Sequence, residues 1–203
     1  MTSSQSLTNN FFDKQTLENY KNCLEEGGVF AYPTDTVWGI GCLVNNEKGA
    51  QKIYEIKKRD GQKPLILLGA DMDDFAPYIQ ELPDTAKKLA TNYWPGAITI
   101  IVKKSQKTPD FITSGFDTVG LRIPAHPVLR EFLNYTKVIA STSANLSGEM
   151  ASITYEQTKK SIGEKMNFIL PDCGIKAKGL ASTVVLVENG NCKILREGEI
   201  KIH

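Results

Sequence analysis

The sequence predicts an α/β domain of three layers, a twisted mixed sheet with helices on both faces. Three observations lead there. Segments with helical spacing of apolar residues alternate with short runs of β-branched residues along the whole chain. One connection, Asn189-Gly190 between two apolar runs, is a two-residue hairpin turn, so the sheet contains antiparallel pairs and is not purely parallel. With 203 residues, 41% of them hydrophobic, the chain can bury one substantial core, and no repeat, low-complexity tract or linker divides it. Residues 1–12 are expected to form a flexible polar tail and residues 13–203 a single domain.

The first helix opens at Phe12-Asp13, with Asp13 as N-cap and Phe12 stapled onto Leu17. Leu17, Tyr20 and Leu24 supply its apolar side, and Gly27-Gly28 ends it. Val29 to Tyr32 reads as a short strand, broken by Pro33-Thr34-Asp35-Thr36. Val37 to Val44 reads as a second strand, and Gly39 and Gly41 inside it mark a close approach of backbone or ligand. A helix over 47–58 carries Ala50, Ile53 and Tyr54 on its apolar side, with Lys57 at the edge of that side. A strand over 64–68 follows.

Residues 84–93 form a helix with Ala86, Leu89, Ala90 and Tyr93 on one side, stopped by Trp94-Pro95-Gly96. Residues 97–102 read as a buried strand and 105–115 as a polar loop, a candidate lid. Thr118 to Ile123 alternates, with Val119, Leu121 and Ile123 on one face and Thr118, Gly120 and Arg122 on the other. Pro127 starts a helix whose buried side is Val128, Leu129, Phe132 and Leu133. A strand over 138–142 runs into Ser143-Ala144-Asn145-Leu146-Ser147-Gly148. Thr154 with Gln157 makes a capping box for a helix to about Ile162. A short strand over 168–170 and a loop over 172–179 lead to the hairpin, 182–188 and 192–196.

Several function classes are excluded by composition. A net charge of +1 gives no global field for nucleic acid or membrane, so any anion site is a local concentration of charge. No apolar run approaches the ~20 residues that span a bilayer, and the N-terminus MTSSQSLTNN has no hydrophobic core to act as a secretory signal. Four scattered cysteines suit a reduced, cytoplasmic protein. His126 and His203 are the only histidines, too few for a histidine-rich metal site or a histidine-dependent triad. Neither a G-x-G-x-x-G after the first strand nor a P-loop motif occurs.

The residues that break the apolar pattern are mostly hydroxyls, amides and cations at strand ends. Lys57, Lys58, Arg59 and Lys63 crowd one hinge, which reads either as two cations aimed into a pocket or as a solvated helix C-terminus. Arg122 on its strand face is an anion ligand or a surface residue. The stretch 143–148 is an anion-binding backbone nest or a turn. Asp35 is a general base or the anchor of an Asx turn, and Trp38 stacks on a base or belongs to the core. His126 reads as a helix-entry residue. As a set, these side chains suit binding a polyanion beside a small zwitterion and stabilising charge between them.

Six motifs in order resemble the YrdC/Sua5 family: Tyr32-Pro33-Thr34-Asp35-Thr36-Val37-Trp38-Gly39-Ile40-Gly41; Lys57-x-Arg59 with Lys63-Pro64-Leu65; Gly120-Leu121-Arg122-Ile123-Pro124; Ser141-x-Ser143-Ala144-Asn145-x-Ser147-Gly148; Ser182-Thr183-Val184; and Leu195-Arg196-x-Gly198. The resemblance runs from about Asp13 to Gly198 and implies a YrdC/RibB-like catalytic domain over 13–203, in the short single-domain form. The activity it implies is threonylcarbamoyl-adenylate synthesis from L-threonine, bicarbonate and ATP with Mg2+. The product would serve N6-threonylcarbamoyladenosine formation at tRNA position 37, through a downstream transferase complex. By this resemblance Lys57 and Arg59 are catalytic; Lys57, Arg59, Lys63, Thr118, Ser143, Asn145 and Arg196 bind ATP; Thr34, Arg122, Ser141 and Ser182 bind threonine. Mg2+ would be held mainly by the phosphates, without a dedicated protein cage. Leu67-Leu68 stands where some longer members place a histidine near the substrate. Two alternatives remain: a module that binds RNA weakly, and a paralogue using the same nucleotide pocket for another carbamoyl acceptor.

Overall fold

A computed structural model describes residues 10–58 and 63–202. Nine strands form one sheet: β1 (Phe30–Tyr32), β2 (Gly39–Leu43), β3 (Ile66–Leu68), β4 (Ile98–Lys103), β5 (Thr118–Arg122), β6 (Ile139–Ser143), β7 (Phe168–Ile169), β8 (Thr183–Glu188) and β9 (Asn191–Arg196). Their spatial order is β7-β1-β2-β6-β3-β5-β4-β8-β9. The β1–β7, β3–β5 and β4–β8 pairs are parallel and the rest antiparallel, so the sheet is mixed, as expected. The helices are α1 (Lys14–Glu25), α2 (Glu47–Lys57), α3 (Asp84–Tyr93), the single turn α4 (Asp110–Thr113), α5 (Pro127–Thr136) and α6 (Tyr155–Ile162).

Local chemistry explains the ends of these elements. Asp13 caps α1 by accepting from the Thr16 N–H at 2.7 Å, and Asn46 caps α2 by accepting from Gly49. Thr154 caps α6 through the Gln157 N–H, while the Gln157 side chain reaches back one residue further than in the usual box, to the Ile153 N–H. Asn189 (φ 50°) and Gly190 (φ 77°) both occupy the left-handed region that a type I′ turn requires, which closes the β8–β9 hairpin.

Two cores lie on opposite faces of the sheet. One gathers Ile40, Cys42, Leu67, Ile98, Ile100, Leu121, Ala140 and Val185 under Ala50 and Ile53 of α2, Ala86 and Leu89 of α3, and Ile162 of α6. The other is smaller and aromatic. There Phe30, Tyr32, Leu68 and Ile139 meet Leu24 of α1 and Val128, Leu129, Phe132 and Leu133 of α5. Because side chains alternate along a strand, every second residue of the central strands faces this second side. However, α1 and α5 cover only part of it.

Two segments differ from the sequence reading and a third, left without an element there, gains one. Of the expected tail, residues 1–9 lie outside the described residues, whereas Phe11 and Phe12 are tied down: both backbone N–H groups donate to the Glu131 carboxylate on α5, and the Phe12 ring is buried. Residues 73–78, which carry no clear periodicity, form a 3₁₀ helix that buries Phe75. The candidate lid 105–115 is anchored. Ser105 and Thr108 donate to the carbonyls of Pro77 and Tyr78, Ile112 accepts from the Leu65 N–H, and Ile112 and Thr113 are fully buried.

Candidate active site

The part of the second sheet face left open by α1 and α5 is the floor of a cavity of about 370 Å³. Gly39, Ile66, Leu68, Thr99, Arg122, Ser141, Ser143, Ser182, Val184 and Arg196 line it from seven strands and the segment before β8, and Thr34, Thr36, Asn145 and Glu149 line it from loops. Register explains the convergence: Gly39 pairs with Ser143, Ile66 with Ser141, Leu68 with Arg122, Thr99 with Val184, and Val184 with Arg196. A somewhat larger groove of about 480 Å³ lies between α2 and residues 164–167. It carries Lys52 and Lys165 beside Glu55 and Glu164, and this balance of charge favours no one ligand.

Arg122 is 5% exposed. Its Nε donates to the Gly96 carbonyl at 2.9 Å, Nη1 to Thr36 Oγ1 at 2.8 Å and Nη2 to Asp35 Oδ1 at 2.7 Å. Burial draws its pKa down, and Asp35 beside it acts in the opposite sense. A guanidinium nevertheless stays charged across the pH range of a folded protein. A guanidinium has five N–H donors. The three contacts therefore leave one N–H on each terminal nitrogen for a ligand. Asp35 also accepts from the Ala125 N–H at 3.0 Å. It is the partner that aims Arg122, and the Asx-turn and general-base readings both give way to that.

The Thr34 hydroxyl is committed to its own turn. It donates to the Val37 carbonyl at 2.6 Å and accepts from the Thr36 and Val37 N–H groups. Thr34 thus shapes the cavity wall and has no hydroxyl proton left for a substrate. Ser182 Oγ lies 2.8 Å from Thr99 Oγ1 and accepts from Arg196 Nη2 at 3.2 Å. Arg196 also donates twice to the Ser182 carbonyl. Burial and the charge of Arg122 lower the Arg196 pKa, so the two guanidinium groups share one electrostatic environment. Gly198 is where β9 returns to this edge. A Cβ there would stand 2.3 Å from the Ala181 carbonyl oxygen and 2.5 Å from Ser182 C, so only glycine lets the two segments touch.

Lys57 is 3% exposed, and its ammonium donates to the Ser143 carbonyl at 2.5 Å, the Asn145 carbonyl at 2.8 Å and Asn145 Oδ1 at 3.3 Å. It stands behind the cavity wall, holding the loop that presents Ser143 and Asn145. The loop 143–148 is thus a lysine-filled turn whose carbonyls face a cation, and Ser143 Oγ donates to Asn145 Oδ1. Arg59 lies outside the described residues. Lys63 is exposed and Thr118 half-buried, and neither is among the described lining residues, although Thr118 shares the face of β5 that bears Arg122. Trp38 lines the cavity from the core side at 1% exposure and meets Tyr155 edge-on. His126 is buried at the start of α5 with Nε2 3.4 Å from the Ile175 carbonyl oxygen.

Sequence reasoning missed Thr99, which sits in the otherwise apolar stretch Ala97 to Val102, and the role of Tyr32, whose phenol contacts Ser141. The only signal for either was a hydroxyl among the apolar residues of a strand.

Known proteins resemble this chain in sequence and in fold. The family model for the Sua5/YciO/YrdC domain, described as "Telomere recombination", matches residues 22–198. A threonylcarbamoyl-AMP synthase of Vibrio parahaemolyticus is 38% identical over 156 residues, covering 75% of this chain and 84% of that protein. A putative threonylcarbamoyl-AMP synthase of Methanocaldococcus jannaschii is 33% identical over 189 residues, covering 93% and 88%. Among solved structures, P. abyssi Sua5 complexed with L-threonine superposes with a TM-score of 0.85 at 30% identity. That match covers 92% of this chain and 55% of the Pyrococcus chain, so the present chain spans little more than half of it. E. coli YciO shares the fold, with a TM-score of 0.81 at 23% identity.

Proposed function

The chain belongs to the Sua5/YciO/YrdC family, and from that premise we propose that it is a threonylcarbamoyl-AMP synthase, a nucleotidyltransferase acting on L-threonine, bicarbonate and ATP. One observation carries the reading. Arg122 is buried, aimed by Asp35 and Thr36, and keeps two N–H groups for a carboxylate on a floor of serine hydroxyls. An amino acid binds there by its carboxylate, with Ser141 and Ser182 beside it, and its amine turns toward the rest of the cavity.

Arg196, Ser143 and Asn145, all in the cavity lining, are the groups this reading gives to the nucleotide. Threonine's amine attacks carbon dioxide or bicarbonate to form a carbamate, with loss of water in the bicarbonate case. A carbamate oxygen then attacks the α-phosphorus of ATP, and diphosphate leaves. Both steps gather negative charge, which Arg196 in the cavity offsets together with Arg59 and Lys63 of the adjoining hinge, while Lys57 adds its charge from behind the wall. ATP enters as its magnesium complex. The ion is held mainly by the phosphates in this reading, and Glu149 is the one carboxylate among the described lining residues. The product is an activated acyl-adenylate suited to transfer onto a nucleoside amine, consistent with a tRNA-modifying transferase as recipient.

The test is threonine-dependent release of diphosphate from ATP in the presence of bicarbonate and Mg2+, with the adenylate identified by mass. Release supported by another amino acid but not threonine redirects the reading to a different carbamoyl acceptor. RNA binding without any release assigns the cavity to an RNA-binding module.

A further inference from the structure

We propose that Tyr32 is a positioning residue that acts through Ser141, committing the serine hydroxyl to donate its proton into the cavity. This rests on the threonine-binding reading above and adds to it a residue outside the cavity lining.

Tyr32 is fully buried on β1, and its ring lies across the adjacent strand. The glycines of β2 make room for it: a Cβ on Gly39 would stand 2.5 Å from ring Cε2, and one on Gly41 3.1 Å from Cε1. The close approach expected from glycines within a strand is therefore the approach of this ring. Across those glycines the phenol reaches the next strand but one and donates to Ser141 Oγ in a short contact, with the Ile40 carbonyl a longer 3.3 Å away. Burial, the largest influence, raises the phenol well above the ordinary tyrosine range, so it keeps its proton and remains a donor at every working pH.

A hydroxyl oxygen that accepts from one neighbour still has its own proton to place. Ser141 is 5% exposed, and the open side of its Oγ is the cavity. The arrangement therefore makes Ser141 a donor toward whatever Arg122 holds, which suits a carboxylate. Ser143 on the same strand face differs, because its proton is already directed to Asn145 Oδ1. Without the phenol, Ser141 can rotate its proton away and meet the ligand in several orientations, at an entropic cost on binding.

The experiment compares the full-length protein with Tyr32→Phe, Ser141→Ala and the double variant in steady-state diphosphate release. Tyr32→Phe keeps the ring that fills the space over Gly39 and Gly41. The expected result is a rise in threonine KM of about five-fold or more, with ATP KM and melting temperature unchanged. In the Ser141→Ala background the same substitution should have no further effect on threonine KM. An unchanged threonine KM in Tyr32→Phe, equal rises in both KM values, or effects that multiply in the double variant overturn the positioning role while leaving the enzyme reading intact. Failure of the wild type to release diphosphate with threonine overturns the enzyme reading and this proposal together.

Discussion

The second face of the sheet contains two regions that differ in everything but their backbone. Along β6, Ile139 packs into the aromatic cluster under α5, while Ser141 and Ser143, two and four residues further on the same face, line the cavity. Under α5, Phe30, Phe132, Phe168 and Tyr20 pack in stacked, tilted and edge-on pairs at centroid separations of 4.0 to 6.2 Å. In the open half the same face carries Ser141, Ser143, Thr99, Arg122 and Ser182. A strand face with no helix above it must be polar or must attract a partner, since exposed apolar floor would invite association. Here the uncovered floor became the site, and one strand serves both halves.

Breaking each half separately is the sharpest test of that division. Arg122→Ala should lower kcat/KM for threonine ~100-fold or more, the scale for losing a charged donor at a preorganised site. It should also lower the melting temperature, because the half-buried Asp35 loses its cation. Phe132→Ala, in the centre of the aromatic cluster, should cost about 3–5 kcal/mol of stability in denaturant titration. Its kcat per folded molecule should nevertheless stay near wild type. If Phe132→Ala abolishes turnover in protein shown to be folded, the two halves are coupled and the division fails.

The next effect probes how the cavity wall is held. Lys57→Met removes the ammonium and leaves the Ser143 and Asn145 carbonyls without it. Activity should fall ~100-fold with a smaller loss of stability than Phe132→Ala. At the far edge, Gly198→Ala places a methyl against the Ala181 carbonyl and must push Ser182 and Arg196 apart. A rise of about ten-fold in KM, together with a lower melting temperature because the backbone must yield, is the expected reading, since a displacement of about 1 Å at a preorganised site is enough.

Much of the fold was legible because the elements carry their own punctuation: Asp13, Asn189-Gly190, Pro127 and Thr154 all act where their chemistry suggests. The site was legible in outline only. Arg122, Ser141, Ser143, Asn145, Ser182 and Arg196 do converge on one cavity. What the linear pattern cannot show is which polar atoms are already taken. Thr34 looks like a ligand contact until its hydroxyl is found closing a turn, and Lys57 looks like a phosphate ligand until its ammonium is found among carbonyls. Asp35 reads as a base or an Asx-turn anchor because its partner lies 87 residues away, beyond three α-helices and a 3₁₀ helix. Thr99 hides in an apolar strand, since period-two alternation marks a face as polar only when several residues on it are polar.

The smallest predicted effect concerns the seam between the two halves. His126 begins α5, is 1% exposed, and holds the segment after β7 through Ile175, while the neighbouring Ala125 N–H holds Asp35. Burial lowers its pKa, and the Ile175 carbonyl, Asp35 and Asp172 only partly oppose this. A histidine depressed in the folded state is neutral there at a pH where the unfolded chain already binds a proton. Stability is therefore complete above the unfolded value of about 6.5 and declines as pH falls through it toward the folded value, by at most about 1.4 kcal/mol per unit. Wild-type melting temperature should fall more steeply than that of His126→Gln between about pH 6.5 and 5. Because folded His126 gains its proton only once pH falls past its own lowered pKa, and the anchored segment leads directly to Ala181 and Ser182, threonine KM should rise only below that point in the wild type, and less in the variant. Identical pH profiles for the two proteins would place His126 outside the seam, as packing for the start of α5 alone.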